Sequence, residues 1–232
     1  MSEISITSPE LPGLKIKQKR SQKTYDALIR TAFRLLKKRG LSSISIAELT
    51  QAAGYSVGAF YARFQSKDEF LDALVEHHVK SRRATHDYLF SRYQGDELID
   101  RMIEDVVSYI WKISGFYRSS LERSVYDQDF WKPMRSLGHE LANFFISSLS
   151  SQINRALTET EEFNIRFAFQ ITFGTVNNAI INRPGPIQIE QKLFTEQLTR
   201  AFRLVSDYDN IVSRPAQTTR ADPPETPPPL EN

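Results

Sequence analysis

The residues best suited to contacting another macromolecule lie close together between positions 45 and 67, and they are small or polar. Small side chains at Val57, Gly58 and Ala59 would let the start of a helix approach base edges in a DNA groove. Hydroxyl and cationic groups nearby suit contacts with phosphates. The predicted DNA-contacting residues are Ser45, Ser56, Val57, Gly58, Ala59, Tyr61, Arg63 and Lys67.

Two short helices joined by a tight turn are predicted to position these residues. Ser45 and Ser56 can each cap a helix, and Gly54 lies between them where a tight turn needs a positive φ. Phe60 and Phe64 are four residues apart and should anchor the second helix in a core. The pattern indicates a helix-turn-helix whose second helix enters the DNA major groove, although a plain helical corner would look similar.

The charge distribution favours the DNA-binding interpretation. Residues 15–67 contain twelve Lys and Arg but only Asp26 and Glu48 as acids, which gives this span a net charge of +10. The whole chain carries +2, so the remaining residues carry −8. A basic segment beside an acidic one is expected where one part faces phosphates. The alternatives are a solvated basic surface or a localisation signal.

The same segment resembles the DNA-binding signature of the TetR family of bacterial transcriptional regulators. The resemblance extends from about Ser21 to Leu74, roughly a quarter of the chain. This sequence has Tyr55 where a small aliphatic residue is commoner in the family, and Gln65 where proline is common. The motif residues that carry the resemblance are Leu49-Thr50-Gln51-Ala52-Ala53-Gly54-Tyr55-Ser56, then Tyr61, Phe64, Ser66 and Lys67.

The resemblance implies a two-fold dimer that presents two recognition helices to double-stranded DNA at a palindromic operator. It also implies a repressor, more than an activator, that a small hydrophobic or aromatic effector releases from DNA. A constitutive DNA-binding regulator without a small-molecule ligand is the alternative, because its motif and charge would look the same.

Residues that could support catalysis or metal binding are few. The chain has no cysteine, and its four histidines, His77, His78, His86 and His139, form neither an HExxH motif nor a pair four residues apart. We expect the three on one helix to be solvated or to face a hinge. No phosphate-binding glycine loop or G-x-S-x-G motif occurs. We therefore predict no enzyme activity, no catalytic residue, no metal and no cofactor.

The composition is that of a globular chain, with 40% hydrophobic residues in 232 positions. No apolar run approaches the ~18 residues that a membrane-spanning helix needs. The N-terminus lacks the basic and apolar blocks of a signal peptide. We therefore expect no membrane association and a cytoplasmic location.

The predicted fold class is all-α, with an N-terminal helix-turn-helix three-helix domain and a C-terminal helical ligand-binding and dimerisation domain. Residues 1–20 are predicted to form a flexible basic arm, and helix 1 should start near Ser21. Residues 21–66 form the DNA-binding domain, and residues 67–210 form the effector-binding and dimerisation domain. The segment 211–232 is rich in proline and is predicted to be disordered.

The middle of the chain is rich in aromatic residues, which suits a cavity for a hydrophobic or planar effector. Aromatic residues on helices also form ordinary cores, and that alternative stays open for each residue. The predicted ligand-binding residues are Trp111, Tyr117, Tyr126, Phe130, Phe145, Phe169, Phe173 and Asn177.

The last two long helices carry apolar stripes that a partner subunit could cover, forming a four-helix bundle. Packing within one subunit is the alternative. The predicted dimer-interface residues are Phe167, Ile171, Phe194, Leu198, Ala201 and Val205.

Overall fold

The structure, a computed structural model, describes residues 12–37 and 39–214, with side chains described from residue 21 onward. Within these ranges every regular element is a helix, so the predicted all-α fold class is confirmed. The elements in chain order are α1 (Pro12–Leu35), a 3₁₀ turn (Leu41–Ser43), α2 (Ile46–Ala53), α3 (Val57–Tyr61), α4 (Lys67–Arg92), α5 (Gly95–Lys112), α6 (Ser114–Ser124), α7 (Lys132–Ile153), α8 (Glu159–Ile181), α9 (Lys192–Ser206) and α10 (Tyr208–Ser213).

The first helix begins earlier than the sequence pattern predicted. Helix α1 starts at Pro12 and not near Ser21. A proline fits the first turn of a helix because the N–H that it lacks has no partner there. The prediction of a flexible arm over residues 1–20 is therefore wrong for residues 12–20, which belong to α1. Residues 1–11 lie outside the described part of the chain.

The last described helix extends the folded part of the chain beyond the predicted boundary. Helix α10 continues to Ser213, and Ile211 on it is fully buried. The prediction of a disordered tail over 211–232 is therefore wrong at its beginning, because Ile211 packs into the core. Residues 215–232 lie outside the described part of the chain.

The helix-turn-helix forms through side-chain caps and one glycine. The Ser45 hydroxyl accepts a hydrogen bond from the Glu48 N–H at 3.0 Å and begins α2. Gly54 ends α2 with a φ of +79°, a conformation that glycine adopts readily because it lacks a β-carbon. The Ser56 hydroxyl then begins α3 by accepting from the Ala59 N–H at 3.2 Å. Each hydroxyl satisfies an N–H group that a helix leaves unpaired at its start.

An aromatic cluster fixes α3 against its neighbours. The rings of Phe60 and Phe64 lie 5.2 Å apart, and both contact Phe70 at the start of α4. Tyr25 of α1 contacts Phe64 at a centroid distance of 5.8 Å. The three phenylalanines are buried. The predicted role of Phe60 and Phe64 as core anchors is confirmed, and it determines which face of α3 points outward.

The C-terminal domain, α4 to α10, is built on a long connecting helix. Helix α4 packs against α7, α7 packs against α8, and α9 packs against both α8 and α5. The buried apolar residues of the two domains form one continuous core. Movement within the C-terminal domain can therefore be transmitted to α1, α2 and α3 by packing as well as through the chain.

Helix α8 begins with a capping box that the sequence analysis did not identify. Thr158 and Glu161 exchange two hydrogen bonds, at 3.2 Å and 2.8 Å, each from one backbone N–H to the other's side chain. The buried Glu161 carboxylate also accepts two hydrogen bonds of 2.8 Å from Arg155. The Arg155 guanidinium is the main cause that lowers the pKa of Glu161 to about 2. A charged, buried carboxylate thus holds the loop before α8.

Candidate nucleic-acid interface and effector cavity

The outward face of α3 carries small and aromatic side chains. Ser56 and Gly58 are exposed, Val57 and Tyr61 are 40% and 54% exposed, and Ala59 is half-buried. None of these residues is acidic. The N-terminal end of α3 therefore offers a surface that could approach base edges and phosphates closely.

Two cationic residues predicted to contact DNA are engaged with the protein's own backbone. The Arg63 guanidinium donates hydrogen bonds to the carbonyls of Ala59 at 2.7 Å and Ser21 at 3.3 Å. The Lys67 ammonium donates to the Leu41 carbonyl at 3.3 Å. Both groups connect α3 and α4 to the N-terminal part of the fold, and a phosphate contact by either must share or replace these bonds.

A cavity of about 1110 Å³ lies among α4, α5, α6, α7 and α8. Four predicted ligand contacts line it, namely Tyr117, Phe169, Phe173 and Asn177. Its volume slightly exceeds the range of roughly 300–1,000 Å³ that is usual for small-molecule sites. The cavity is therefore large enough for an organic molecule of several rings.

The other four predicted ligand contacts lie elsewhere. Trp111 faces Arg183, whose guanidinium carbon is 5.7 Å from the ring centroid. Tyr126 is 77% exposed. Phe130 and Phe145 belong to the packed core and do not line the cavity. These four predictions are wrong for this cavity, because aromatic composition does not tell which helix faces converge on an open space.

One wall of the cavity is polar, and the sequence analysis did not assign its residues to the ligand. Arg82 of α4 forms an ion pair with Asp105 of α5, and its guanidinium carbon lies 4.5 Å from the Tyr109 ring centroid. His86, one turn further along α4, is 4% exposed, and its Nδ1 has no hydrogen-bond partner among the described residues. Burial, and then the Arg82 charge, lower the pKa of His86 to about 4. The ring is neutral at pH 7.

His78 lies behind this wall between two tyrosine hydroxyls. Its Nδ1 is 3.5 Å from the Tyr109 hydroxyl, and its Nε2 is 3.3 Å from the Tyr117 hydroxyl. Burial, and then the Arg82 charge, lower the pKa of His78 to about 3, while burial raises the pKa of both tyrosines. The expected solvated position is wrong for His78 and His86, which α5, α6 and α7 cover. A sequence signal existed in the spacing of Arg82 and His86, which places both on one face of α4.

The charged side chains around the cavity are of one sign. Arg82, Arg135 and Arg166 line it, and no Asp or Glu among the described residues does so. Arg166 donates to Asn143 at 2.7 Å and to Glu162 at 3.3 Å. The exposed Arg135 side chain makes no hydrogen bond or ion pair with the described residues. The cavity therefore has a positive character that its apolar walls leave poorly screened.

Helix α6 connects the cavity to the N-terminal domain. Its residue Tyr117 lines the cavity, and the flanking residues contact the segment after α1. The Phe116 N–H donates to the Leu36 carbonyl at 3.2 Å, and the Ser119 hydroxyl accepts from the Leu41 N–H at 2.7 Å. One turn of helix thus touches both the open space and the N-terminal domain.

The closest approach in this contact is at Gly115. A β-carbon there would lie 2.2 Å from the Arg39 carbonyl oxygen and 2.6 Å from the Leu36 carbonyl oxygen. Beside it, the Ser114 hydroxyl donates to the Lys37 carbonyl at 3.0 Å. No side chain larger than hydrogen fits at Gly115 without displacing α6 from the end of α1.

The predicted dimer-interface residues divide into buried and accessible ones. Phe194 and Leu198 are 8% and 5% exposed within one subunit, where α9 packs on α8 and α5. The prediction that these two face a partner is wrong, because the subunit's own core covers that stripe. Phe167 is 44% exposed. Ile171, Ala201 and Val205 are half-buried.

Other apolar side chains on the same helices are accessible. Phe163 and Phe167 stack on α8 with centroids 6.2 Å apart, and Phe163 is 66% exposed. Ile181 at the end of α8 and Leu193 and Leu204 on α9 are also exposed. The outer faces of α8 and α9 therefore carry the apolar surface that the buried stripe cannot supply.

In the part of the chain that the structure describes, no helix is both long and apolar enough to cross a bilayer. The same residues contain no group of three or more histidine or carboxylate side chains that could hold a metal ion. The chemistry available in the cavity is therefore hydrogen bonding, charge and apolar contact.

Comparison with known proteins places these features in context. The family profile "Bacterial regulatory proteins, tetR family" matches residues 28–74. The HTH-type transcriptional regulator YwcC of Bacillus subtilis is 36% identical over 72 residues, which cover 31% of this chain and 32% of YwcC. The HTH-type transcriptional regulator TtgR of Pseudomonas putida is 31% identical over 80 residues, covering 34% and 36% of the two chains. The matches thus span about a third of these relatives.

A structural likeness extends over the rest of the chain. RolR, whose crystal structure contains resorcinol, superimposes with a TM-score of 0.53 and 21% sequence identity. The superposition covers 85% of this chain and 97% of RolR. At this identity the likeness establishes the fold alone.

The fold and the site together define a two-domain helix-turn-helix protein with a cavity in its larger helical domain. The N-terminal domain carries the TetR-family sequence signature over α1 to α4. The chain belongs to the TetR family of bacterial regulatory proteins, as the sequence predicted. The curated relatives described above are named as regulators, in agreement with the prediction that the chain is not an enzyme.

Proposed function

We propose that this protein is a homodimeric repressor that binds a palindromic DNA operator and leaves it when a small organic effector fills the cavity. The observation that carries the proposal is the position of α6, which contributes Tyr117 to the cavity and packs at Gly115 against the end of α1. The likeness in fold to RolR, which binds resorcinol in its crystal structure, supports a ligand site in the helical domain. A repressor of this kind acts in the cytoplasm.

The DNA contact is assigned to the N-terminal end of α3. Val57 and Ala59 suit apolar contact with thymine methyl groups, and Gly58 permits close approach of the backbone. Tyr61 suits a phosphate contact. Arg63 and Lys67 contribute chiefly by holding α3 and α4 in place, since their cationic groups bind backbone carbonyls.

Dimerisation is assigned to the outer faces of α8 and α9. Phe163, Phe167 and Leu204 are exposed there, and covering such side chains contributes favourable free energy to association. A two-fold dimer would present two copies of α3 to successive major grooves, whose centres are about 34 Å apart along DNA.

Regulation follows if the effector favours a conformation with another separation of the two α3 helices. A ligand that contacts Tyr117 acts on α6, and α6 contacts the segment that joins α1 to α2. The ligand then shifts the population towards a form with weaker DNA binding, and DNA must weaken ligand binding by the same factor. A constitutive DNA-binding regulator is the second candidate, and it shares the α3 surface but not this coupling.

The DNA-binding part of the proposal is tested by selecting sequences from a random DNA pool with the wild-type protein and with Ala59→Glu. We expect the wild type to select two related half-sites with two-fold symmetry. Ala59→Glu should lose binding to that sequence because it places a carboxylate against the DNA backbone and base edges. Binding is measured by fluorescence anisotropy of the labelled duplex.

The matched control is Ala84→Glu, which makes the same change at an exposed position in the middle of α4. It should bind the selected DNA like the wild type. If Ala59→Glu also bound like the wild type, the recognition surface would not be α3. Selection of single, asymmetric sites would contradict the two-fold dimer.

A further inference from the structure

The cavity combines an apolar body with hydrogen-bonding groups collected at one end. Phe169 and Phe173 of α8 supply apolar surface, their rings 6.3 Å apart in a stacked pair. Arg82, His86 and Tyr109 approach from α4 and α5. A ligand that fills both parts must be amphipathic, with one polar end and an extended apolar portion.

The polar end offers more hydrogen-bond capacity than the protein itself uses. A neutral imidazole has one N–H and one acceptor nitrogen. The ring of His78 therefore accepts from one of the Tyr109 and Tyr117 hydroxyls and donates to the other. The hydroxyl that accepts keeps its own proton as a donor, and neither hydroxyl has another partner among the described residues. One O–H group therefore remains available at the cavity wall.

His86 adds a second unused group at the same end. Its side chain is almost fully buried, and its Nδ1 meets no partner among the described residues. A buried polar atom without a hydrogen bond costs on the order of 1–3 kcal/mol. A ligand atom that hydrogen-bonds His86 would remove that cost, which makes this nitrogen a specific contact point.

The charges decide which polar group the ligand carries. Arg82, Arg135 and Arg166 line the cavity, and no described carboxylate does so. Asp105 is bound to Arg82 on the side away from the lining. A cationic ligand would find no counterion here, whereas an anionic one would meet guanidinium, imidazole and hydroxyl groups.

We infer that the effector is an organic carboxylate with a large apolar body. Its carboxylate lies at the polar end against Arg82, His86 and the available tyrosine hydroxyl, and its body lies along Phe169 and Phe173. This inference rests on the proposed function, because it names the chemical class of the molecule that the cavity takes up. It goes further by excluding cations and by giving the ligand a direction in the cavity.

The inference is tested with three probes that share one body and differ in charge. They are 6-(2-naphthyl)hexanoate, the corresponding hexanamide and the corresponding hexylammonium. Isothermal titration calorimetry on the full chain at pH 7.5 gives the three dissociation constants. We expect the carboxylate to bind at least tenfold more tightly than the amide, and the ammonium to bind weakest. Equal affinities, tighter binding of the ammonium, or no binding of any probe would overturn the inference.

Two matched variants test the direction of the ligand. His86→Phe keeps a ring of similar size but removes both ring nitrogens at the polar end. His139→Phe makes the same change at an exposed residue of the cavity lining. We expect His86→Phe to weaken the carboxylate about tenfold and His139→Phe to change it less than threefold. The reverse order would place the carboxylate at the exposed end.

A third variant keeps the test decisive if His86→Phe fails to fold. Tyr109→Phe combined with Tyr117→Phe removes the available hydroxyl, and the amide probe reports whether the apolar site survives. Selective loss of carboxylate binding supports the inference, and equal loss of carboxylate and amide binding contradicts it.

The same probes separate this inference from the proposed function. If the carboxylate binds as expected but leaves DNA affinity unchanged, the regulatory role fails and the ligand class stands. If DNA is released only by the amide or the ammonium, regulation through the cavity stands and the ligand class is wrong.

Discussion

The two domains of this protein bury different kinds of side chain. In the N-terminal domain, α1 to α3, the buried polar residues are three threonines, and the centre is formed by Phe60, Phe64 and other apolar groups. In the C-terminal domain, ionisable residues enter the interior, among them Arg82, His86 and Glu161. One domain is held by apolar packing, and the other depends on hydrogen bonds and charge as well.

The difference matches what the two domains must do. Apolar packing fixes the outward face of α3 in one orientation, which a DNA contact needs. Buried polar groups have alternative partners, and a ligand can compete for them. The contact of α6 with the end of α1 lies where the two kinds of interior meet.

The largest expected effect comes from opening the apolar core of the N-terminal domain. Phe64→Ala should destabilise that domain by about 3–5 kcal/mol, because it removes a buried ring and leaves a cavity. Both tryptophans, Trp111 and Trp131, are in the C-terminal domain. We therefore expect helix loss by circular dichroism to begin at a lower urea concentration than the change in tryptophan fluorescence.

Phe163→Ala is the control, since Phe163 is 66% exposed and its loss should cost well under 1 kcal/mol in the isolated subunit. If Phe64→Ala shifted both signals together, the two domains would unfold as one unit. The contrast between their interiors would then have no consequence for stability.

A smaller effect is expected from the buried ion pair of the C-terminal domain. Glu161→Gln should cost on the order of 3 kcal/mol at pH 7, because it removes the charge that Arg155 stabilises. The folded state holds the pKa of Glu161 at about 2, below its usual value of 4.5. This stabilisation is therefore complete above about pH 4.5 and is lost as the pH falls towards 2. Urea unfolding of both proteins at several pH values measures it.

Glu162→Gln is the matched control, because Glu162 is partly exposed and pairs with Arg166 at 3.3 Å on the surface. It should cost less than about 1 kcal/mol at any pH. A pH-independent difference between the wild type and Glu161→Gln would show that the carboxylate charge contributes nothing.

The sequence predicted the N-terminal domain well because its signals are local. A serine cap, a glycine in a tight turn and a pair of phenylalanines four residues apart each act within a few positions. The cavity depends on contacts between distant segments, such as Arg82 with Asp105 and His78 with Tyr117. No spacing in the chain encodes which helices meet. For this reason half of the predicted ligand contacts and the apolar stripe on α9 were misplaced.

The most direct test of the account is the DNA affinity of Gly115→Ala. The added β-carbon would lie 2.2 Å from the Arg39 carbonyl oxygen and must displace α6 from the end of α1. The control, Gly138→Ala, adds a β-carbon at the cavity that meets Phe173 at an ordinary 3.4 Å.

Affinity for the selected operator is measured by fluorescence anisotropy, with circular dichroism to confirm folding. Coupling between sites is typically about 1–3 kcal/mol, a factor of roughly 5–150 in affinity. We predict that Gly115→Ala remains folded and changes operator affinity at least fivefold, while Gly138→Ala changes it less than twofold. A folded Gly115→Ala protein with wild-type operator affinity would contradict the claim that α6 couples the cavity to DNA binding.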